Sequence, residues 1–147
     1  MRILKAGIYR SVLVKSENQL ASICTVTVKN YINNFNSYKI DLAANNILNL
    51  AIKTNLYLNE KQPWILIKEE ENISSVKEVI YNVLESTRIL GLLLLPILPE
   101  LSSKIDIQLG CIYKKDVKWI EQLNWGALEH NSILPKPIPI INKLEYE

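Results

Sequence analysis

The chain has 147 residues, 48% of them hydrophobic and 22% charged, with a net charge of +2. That composition fits one globular domain and excludes both a disordered chain and a strongly basic nucleic-acid tail. Cys24 and Cys111 stand far apart with no C-x-x-C pair, which points to a reducing, cytoplasmic setting and away from a disulfide-stapled fold.

Residues 1–16 are basic and weakly patterned, with Arg2, Lys5, Arg10 and Lys15 among Ile3, Leu4, Ile8, Val12 and Leu13. They contain no uninterrupted apolar core of a signal peptide. From Leu20 a helical rhythm sets in: Leu20, Ile23, Cys24, Val28, Tyr31, Ile32 and Phe35 recur at three- and four-residue spacing. The turn-favouring run Asn33 to Ser37 is expected to end this helix. A second helix is read from Ile40, Ala43, Ala44, Ile47, Ala51, Thr54 and Leu58, which share one face. It should end near Asn59, with Gln62 extended because it precedes Pro63. Trp64 to Ile67 is a short apolar stretch, followed by Lys68 and the solvated connection Glu69 to Asn72.

Ser75 and Glu78 form an S-x-x-E pattern that predicts the capped start of a third helix. Val76, Ile80, Val83, Thr87, Leu90 and Leu94 are its expected inner face, and Pro96 its stop. Pro99 suits the first position of a fourth helix, with Leu101, Ile105 and Leu109 turned inward and Gly110 as its left-handed cap. From about residue 111 a tail follows, carrying Trp119, Trp125 and the proline-rich run Pro135 to Pro139, expected to lie extended across the bundle. The fold predicted is all-α: an antiparallel helical bundle over 17–147 with an extended C-terminal tail, after an unmatched basic segment 1–16. The longest apolar run, Ile89 through Leu98, falls short of the roughly 20 residues that span a bilayer, so no membrane partner is expected.

Convergent catalytic groups are missing. His130 is the one histidine, in a polar part of the tail, and Gly7, Gly91, Gly110 and Gly126 stand singly rather than in a phosphate loop. No cysteine and histidine cluster has zinc spacing, and Glu69 to Glu71 read as a solvated linker. No catalytic residue, no metal and no cofactor are therefore expected in this chain.

The segment from Asn55 to Lys68 is different. Pro63 fixes the backbone behind Trp64, so a flat ring can be held at the bundle's edge. Asn55 adds amide groups and Lys68 adds charge, together the needs of an unstacked nucleotide. A tryptophan among proline and aliphatic residues can equally be a core plug, and Asn55 a helix-end bridge. The residues alone leave both open.

Asn55-x-Tyr57 followed by Pro63-Trp64-x-Leu66-x-Lys68 resembles the signature of the anticodon-binding domain of methionyl-tRNA synthetases. The similarity continues through Tyr81 to Leu90, Leu95-Pro96-x-Leu98-Pro99-Glu100, Leu109-Gly110, Trp125-Gly126-x-Leu128, Leu134 to Pro139 and Leu144-Glu145. It implies a helical bundle in which Trp64 stacks on an anticodon base of tRNA, Pro63 sets its pose, and Asn55 and Lys68 make polar and phosphate contacts. For Arg88 a salt bridge is as plausible as an RNA contact. The H-I-G-H-like and K-M-S-K-S-like motifs of the family's catalytic half are absent, so ATP would bind a separate catalytic domain. No Asn-x-x-x-Arg pair, with which the family reads the anticodon, occurs in residues 1–30. The alternative is a helical interaction domain that binds no RNA and docks on a separate catalytic chain, with Ile89 to Leu98 and residues 1–16 as its interface.

Overall fold

A computed structural model describes residues 18–129 and 134–141. The segment 1–16, His130 and Leu144-Glu145 lie outside them. Helices α1 (Gln19–Asn36), α2 (Ile40–Lys61), α3 (Pro63–Leu66), α4 (Ile73–Leu94) and α5 (Pro99–Leu109) follow one another, with 3-10 turns at Glu70–Asn72 and Trp119–Leu123. There is no strand among the described residues. The short joints reverse the chain between successive long helices, which gives the antiparallel bundle expected. No described helix is long and apolar enough to cross a membrane.

α1 begins at Asn18, whose side-chain oxygen accepts from the Ala21 amide at 3.2 Å, a cap that contributes about 1 kcal/mol. The helix runs through Asn33 to Asn36, where the sequence suggested a break. Those asparagines cost little in helix propensity, and Asn34 donates to Asn46 of α2 at 2.9 Å. The turn falls instead at Ser37 and Tyr38, the latter at φ 59.

On α2 the buried face is Ala43, Ile47, Leu50 and Thr54. Ile40 and Ala44, expected inside, are exposed. Residues four apart drift around a helix of 3.6 residues per turn, so the row Leu48, Ile52 and Leu56 faces outward. Gln62 is not extended but left-handed, at φ 44 and ψ 56. Its amide donates to the Leu58 carbonyl at 3.1 Å, and its own carbonyl accepts from Ile65 at 2.8 Å. One residue thus closes α2 and opens α3, with Pro63 as the first residue of the new turn.

α4 starts at Ile73, so Ser75 and Glu78 lie inside it and form no capping box. The 3-10 turn before it takes up the entry: the Ile73 amide donates to the Glu70 carbonyl, and Asn72 donates backbone and side-chain bonds to Glu69 that brace the turn. Val76 and Leu94 are buried as expected, but the face between them is rotated from the one expected. Ile80, Val83, Thr87 and Leu90 are half-buried, whereas Val79, Asn82, Glu85, Ser86, Ile89, Leu92 and Leu93 are buried. The polar members can be there because each is paired. Ser86 Oγ lies 2.6 Å from Thr54 Oγ1 and accepts from Cys24 Sγ at 3.5 Å, while Thr54 donates to the Leu50 carbonyl at 2.8 Å.

Pro96 ends the helix and, lacking an N–H, leaves the Leu92 carbonyl without its usual partner. Trp119 of the tail donates its indole N–H there at 2.7 Å, with its ring 6.2 Å from that of Tyr31. Pro99 opens α5 and Gly110 closes it at φ 95, as expected. α5 comes so close to α4 that a Cβ on Gly91 would meet Ile105 Cγ2 at 2.8 Å and overlap the Tyr113 hydroxyl. Residues 134–139 carry no helix or strand and cross α5, where the Ile138 amide donates to Gln108 Oε1 at 2.9 Å.

Candidate nucleic-acid interface

The four candidates sit at one end of the bundle, where α2 finishes and the chain crosses to α4. Pro63 is buried, and Trp64 beside it is 52% exposed. The bland reading of Trp64 as a core plug is therefore wrong, because its ring lies largely in solvent. Asn55 and Lys68 are exposed as well. Asn55 comes off α2 two turns before its end, and Lys68 off the turn after α3, where its amide donates to the Ile65 carbonyl at 3.2 Å. Trp64, Asn55 and Lys68 are thus each exposed toward this end of the bundle.

Arg88 is elsewhere, only 4% exposed. Its guanidinium makes two bonds to the Glu85 carboxylate, at 2.9 and 2.7 Å, and others to the carbonyls of Gln122 and Asn124. Glu85, fully buried, also accepts from the amides of Gly126, Ala127 and Leu128. The pair is a clamp that holds the tail on α4, so the salt-bridge reading is the right one for Arg88. Ile89 and Leu92 to Leu94 are core, Leu90 is half-buried, and Leu95 and Leu98 are exposed, so the apolar strip read as an interface is mostly internal. The exposed apolar row lies on α2 instead, at Leu48, Ile52 and Leu56.

At the same end, a groove of about 710 Å³ runs between the start of α1 and the end of α2, lined among others by Gln19, Ser22, Lys53, Leu56, Tyr57 and Glu60. Sequence reasoning quoted Tyr57 without a role and passed over the rest. The signal available was the spacing of Lys53, Tyr57 and Lys61, four residues apart along one side of a helix. Lys61 Nζ stands 5.8 Å from the Tyr57 ring centre, within range of a cation–π contact. Burial holds the Tyr57 phenol above its ordinary 10.0; the bond from Asn82 pulls it down and the Glu78 charge pushes it up. It is a proton donor at neutral pH. Among the described residues no group of histidine, cysteine and carboxylate side chains could hold a metal ion.

Residues 10–144 match the family described as the anticodon binding domain of methionyl tRNA ligase. The chain belongs to this family. The match begins inside the segment that the sequence motifs had left unmatched. Among relatives, the methionine–tRNA ligase of Bacillus subtilis (strain 168) is 28% identical over 141 residues, 96% of this chain and 21% of that one. The methionine–tRNA ligase of Synechocystis sp. is 39% identical over 108 residues, 67% of this chain and 20% of that one. The chain thus spans about a fifth of the relatives it matches. The free-state crystal structure of Mycobacterium tuberculosis methionyl-tRNA synthetase superposes with a TM-score of 0.85 at 21% identity, covering 99% of this chain and 29% of that one. That likeness establishes the fold of the anticodon-binding domain.

Proposed function

We propose that this domain recognises the anticodon loop of methionine tRNA in the cytoplasm, as the recognition part of methionine–tRNA ligation. In this reading Trp64 stacks on an anticodon base, Pro63 sets the ring's pose, and Asn55 and Lys68 make the polar and phosphate contacts. Activation of methionine with ATP falls to a catalytic domain, and the described residues carry no cofactor in this scheme. The observation that carries the proposal is the exposed Trp64 ring anchored behind the buried Pro63, since base stacking requires an accessible aromatic face on a fixed backbone.

The test is titration of an anticodon stem-loop with Trp64→Ala, with thermal melting of the same sample. Affinity should fall by about 1–3 kcal/mol, the usual worth of one base–aromatic stack, while melting hardly moves. Unchanged affinity would overturn the assignment. The exposed row Leu48, Ile52 and Leu56 on α2 favours a second contact, with the remainder of such a ligase, because the matched relatives are about five times as long. Leu48→Ser, away from the charged end of α2, should then weaken association with a separately expressed catalytic domain and leave RNA binding intact.

A further inference from the structure

The hydrogen bonds behind Tyr57 have a fixed direction. A backbone amide can only donate, so Ala21 N–H settles that the Asn18 side-chain oxygen is the acceptor. The Asn18 amide nitrogen is then the donor to Asn82 Oδ1 at 2.8 Å. Asn82 Nδ2 is in turn the donor to the Tyr57 hydroxyl oxygen at 3.0 Å. The chain runs from the α1 cap across α4 to α2, and it leaves Tyr57 with its own hydroxyl hydrogen. That hydrogen meets no acceptor among the described residues. Its residue lines the groove at the end of the bundle that carries Trp64.

A hydroxyl donor on a residue of the groove lining, with lysines one turn away on either side along α2, suits an anionic oxygen. Lys53 is exposed on the groove wall, and Lys61 holds its charge near the Tyr57 ring. Gln19 and Ser22 add hydrogen-bonding groups from the facing helix, and Glu60 is the one carboxylate on the lining. Lys53 and Lys61 thus stand one turn either side of Tyr57, with Glu60 on the lining and the Glu78 charge also reaching the phenol. A base would need a second stacking face, whereas a phosphodiester needs only donors and charge.

We propose that the groove between α1 and α2 holds a backbone phosphate of the RNA loop, with Tyr57 donating to a phosphate oxygen and Lys53 and Lys61 supplying the charge. This rests on the anticodon-loop reading above and adds a contact that fixes how the loop sits while Trp64 takes the base.

The experiment titrates an anticodon stem-loop, and a hairpin of equal length with a scrambled loop, into the full chain over a range of salt concentrations. Lys53→Gln and Lys61→Gln should each lower affinity about three- to tenfold, and the two together should reduce the salt slope by about 0.7, the value for one single-strand phosphate. Both hairpins should lose alike, because a phosphate contact carries no sequence. Tyr57→Phe should lower affinity by a similar factor with the slope unchanged, since it removes a donor and no charge. Glu60→Gln should tighten binding. Melting curves of each variant serve as the fold control, and the lysine and Glu60 changes lie on exposed positions that leave the core untouched. If Trp64→Ala weakens binding while the groove variants change neither affinity nor slope, the groove proposal falls and the stacking site stands. If neither hairpin binds the unaltered chain, both fall.

Discussion

Trp119 and Trp64 are the same side chain with opposite fates. Trp119 lies inward against Tyr31, and its N–H is held by the Leu92 carbonyl, which Pro96 deprives of its i+4 donor. Trp64 follows Pro63, but it is the proline that goes inside and the indole that stays about half in solvent. The difference comes from where a carbonyl has lost its i+4 amide. At the end of α4 the Leu92 carbonyl keeps only the i+3 bond from Leu95 and has room for the indole, whereas at the end of α2 the left-handed Gln62 gives the Leu58 carbonyl its i+4 bond. A tryptophan becomes part of the core where the backbone has a use for it, and a binding surface where it has none.

The sharpest way to break this contrast is to release the tail that carries Trp119. Arg88→Ala leaves the Glu85 carboxylate buried without its cation, and such half-pairs cost about 3–5 kcal/mol. Denaturant unfolding should show that loss; a change under 1 kcal/mol would mean that the clamp does not hold the tail. Next comes pH. Burial, opposed by the bond to Ser86 and aided by the Glu85 charge, pushes the Cys24 thiol from 9.0 to about 11. The folded state therefore keeps this proton more tightly than the unfolded one. The stabilisation is full below pH 9 and is lost as pH rises from 9 to 11, about 2–3 kcal/mol at roughly 1.4 per unit. Tyr31, Tyr57 and Tyr113, all raised from 10.0 chiefly by burial, act in the same sense. Unfolding compared between about pH 8 and pH 11 should show the drop, and Cys24→Ala should shrink it.

Smaller effects separate the two rings directly. Trp119→Phe keeps the apolar ring and removes the N–H, so it should cost about 1 kcal/mol of stability and leave RNA affinity as it was. Trp64→Ala should change stability by no more than about 0.5 kcal/mol, as at other exposed positions. Equal melting losses for the two variants would erase the distinction.

Much of this was legible in the sequence. Pro99 and Gly110 bracket a helix as their backbone chemistry demands, and the rhythm from Ile40 onward identifies α2. The face of α4 was not legible, because hydrophobic spacing discards the residues that define it. Asn82, Glu85, Ser86 and Arg88 are buried through partners 25 to 64 residues away or a turn along, and no local pattern reports those. Ser75 and Glu78 have the right spacing for a cap, yet the 3-10 turn at Glu70–Asn72 moves the helix start ahead of them. At the interface the motif singled out Trp64 and Pro63, and their opposite burial follows from the turn at Gln62. The groove stayed hidden because it needs α1, and only the folded hairpin brings Gln19 and Ser22 beside Lys53 and Tyr57.

The bonds from Glu85 to the amides at 126–128 span 41 to 43 residues of chain. On a ribosome making about 5–20 residues per second, this carboxylate emerges several seconds before its last three partners. During that interval the nascent bundle carries an acidic group in a place meant to be dry, with only Arg88 to balance it. Its final closure is therefore timed by synthesis of the tail, and a message cut short before Gly126 would yield helices that never seal.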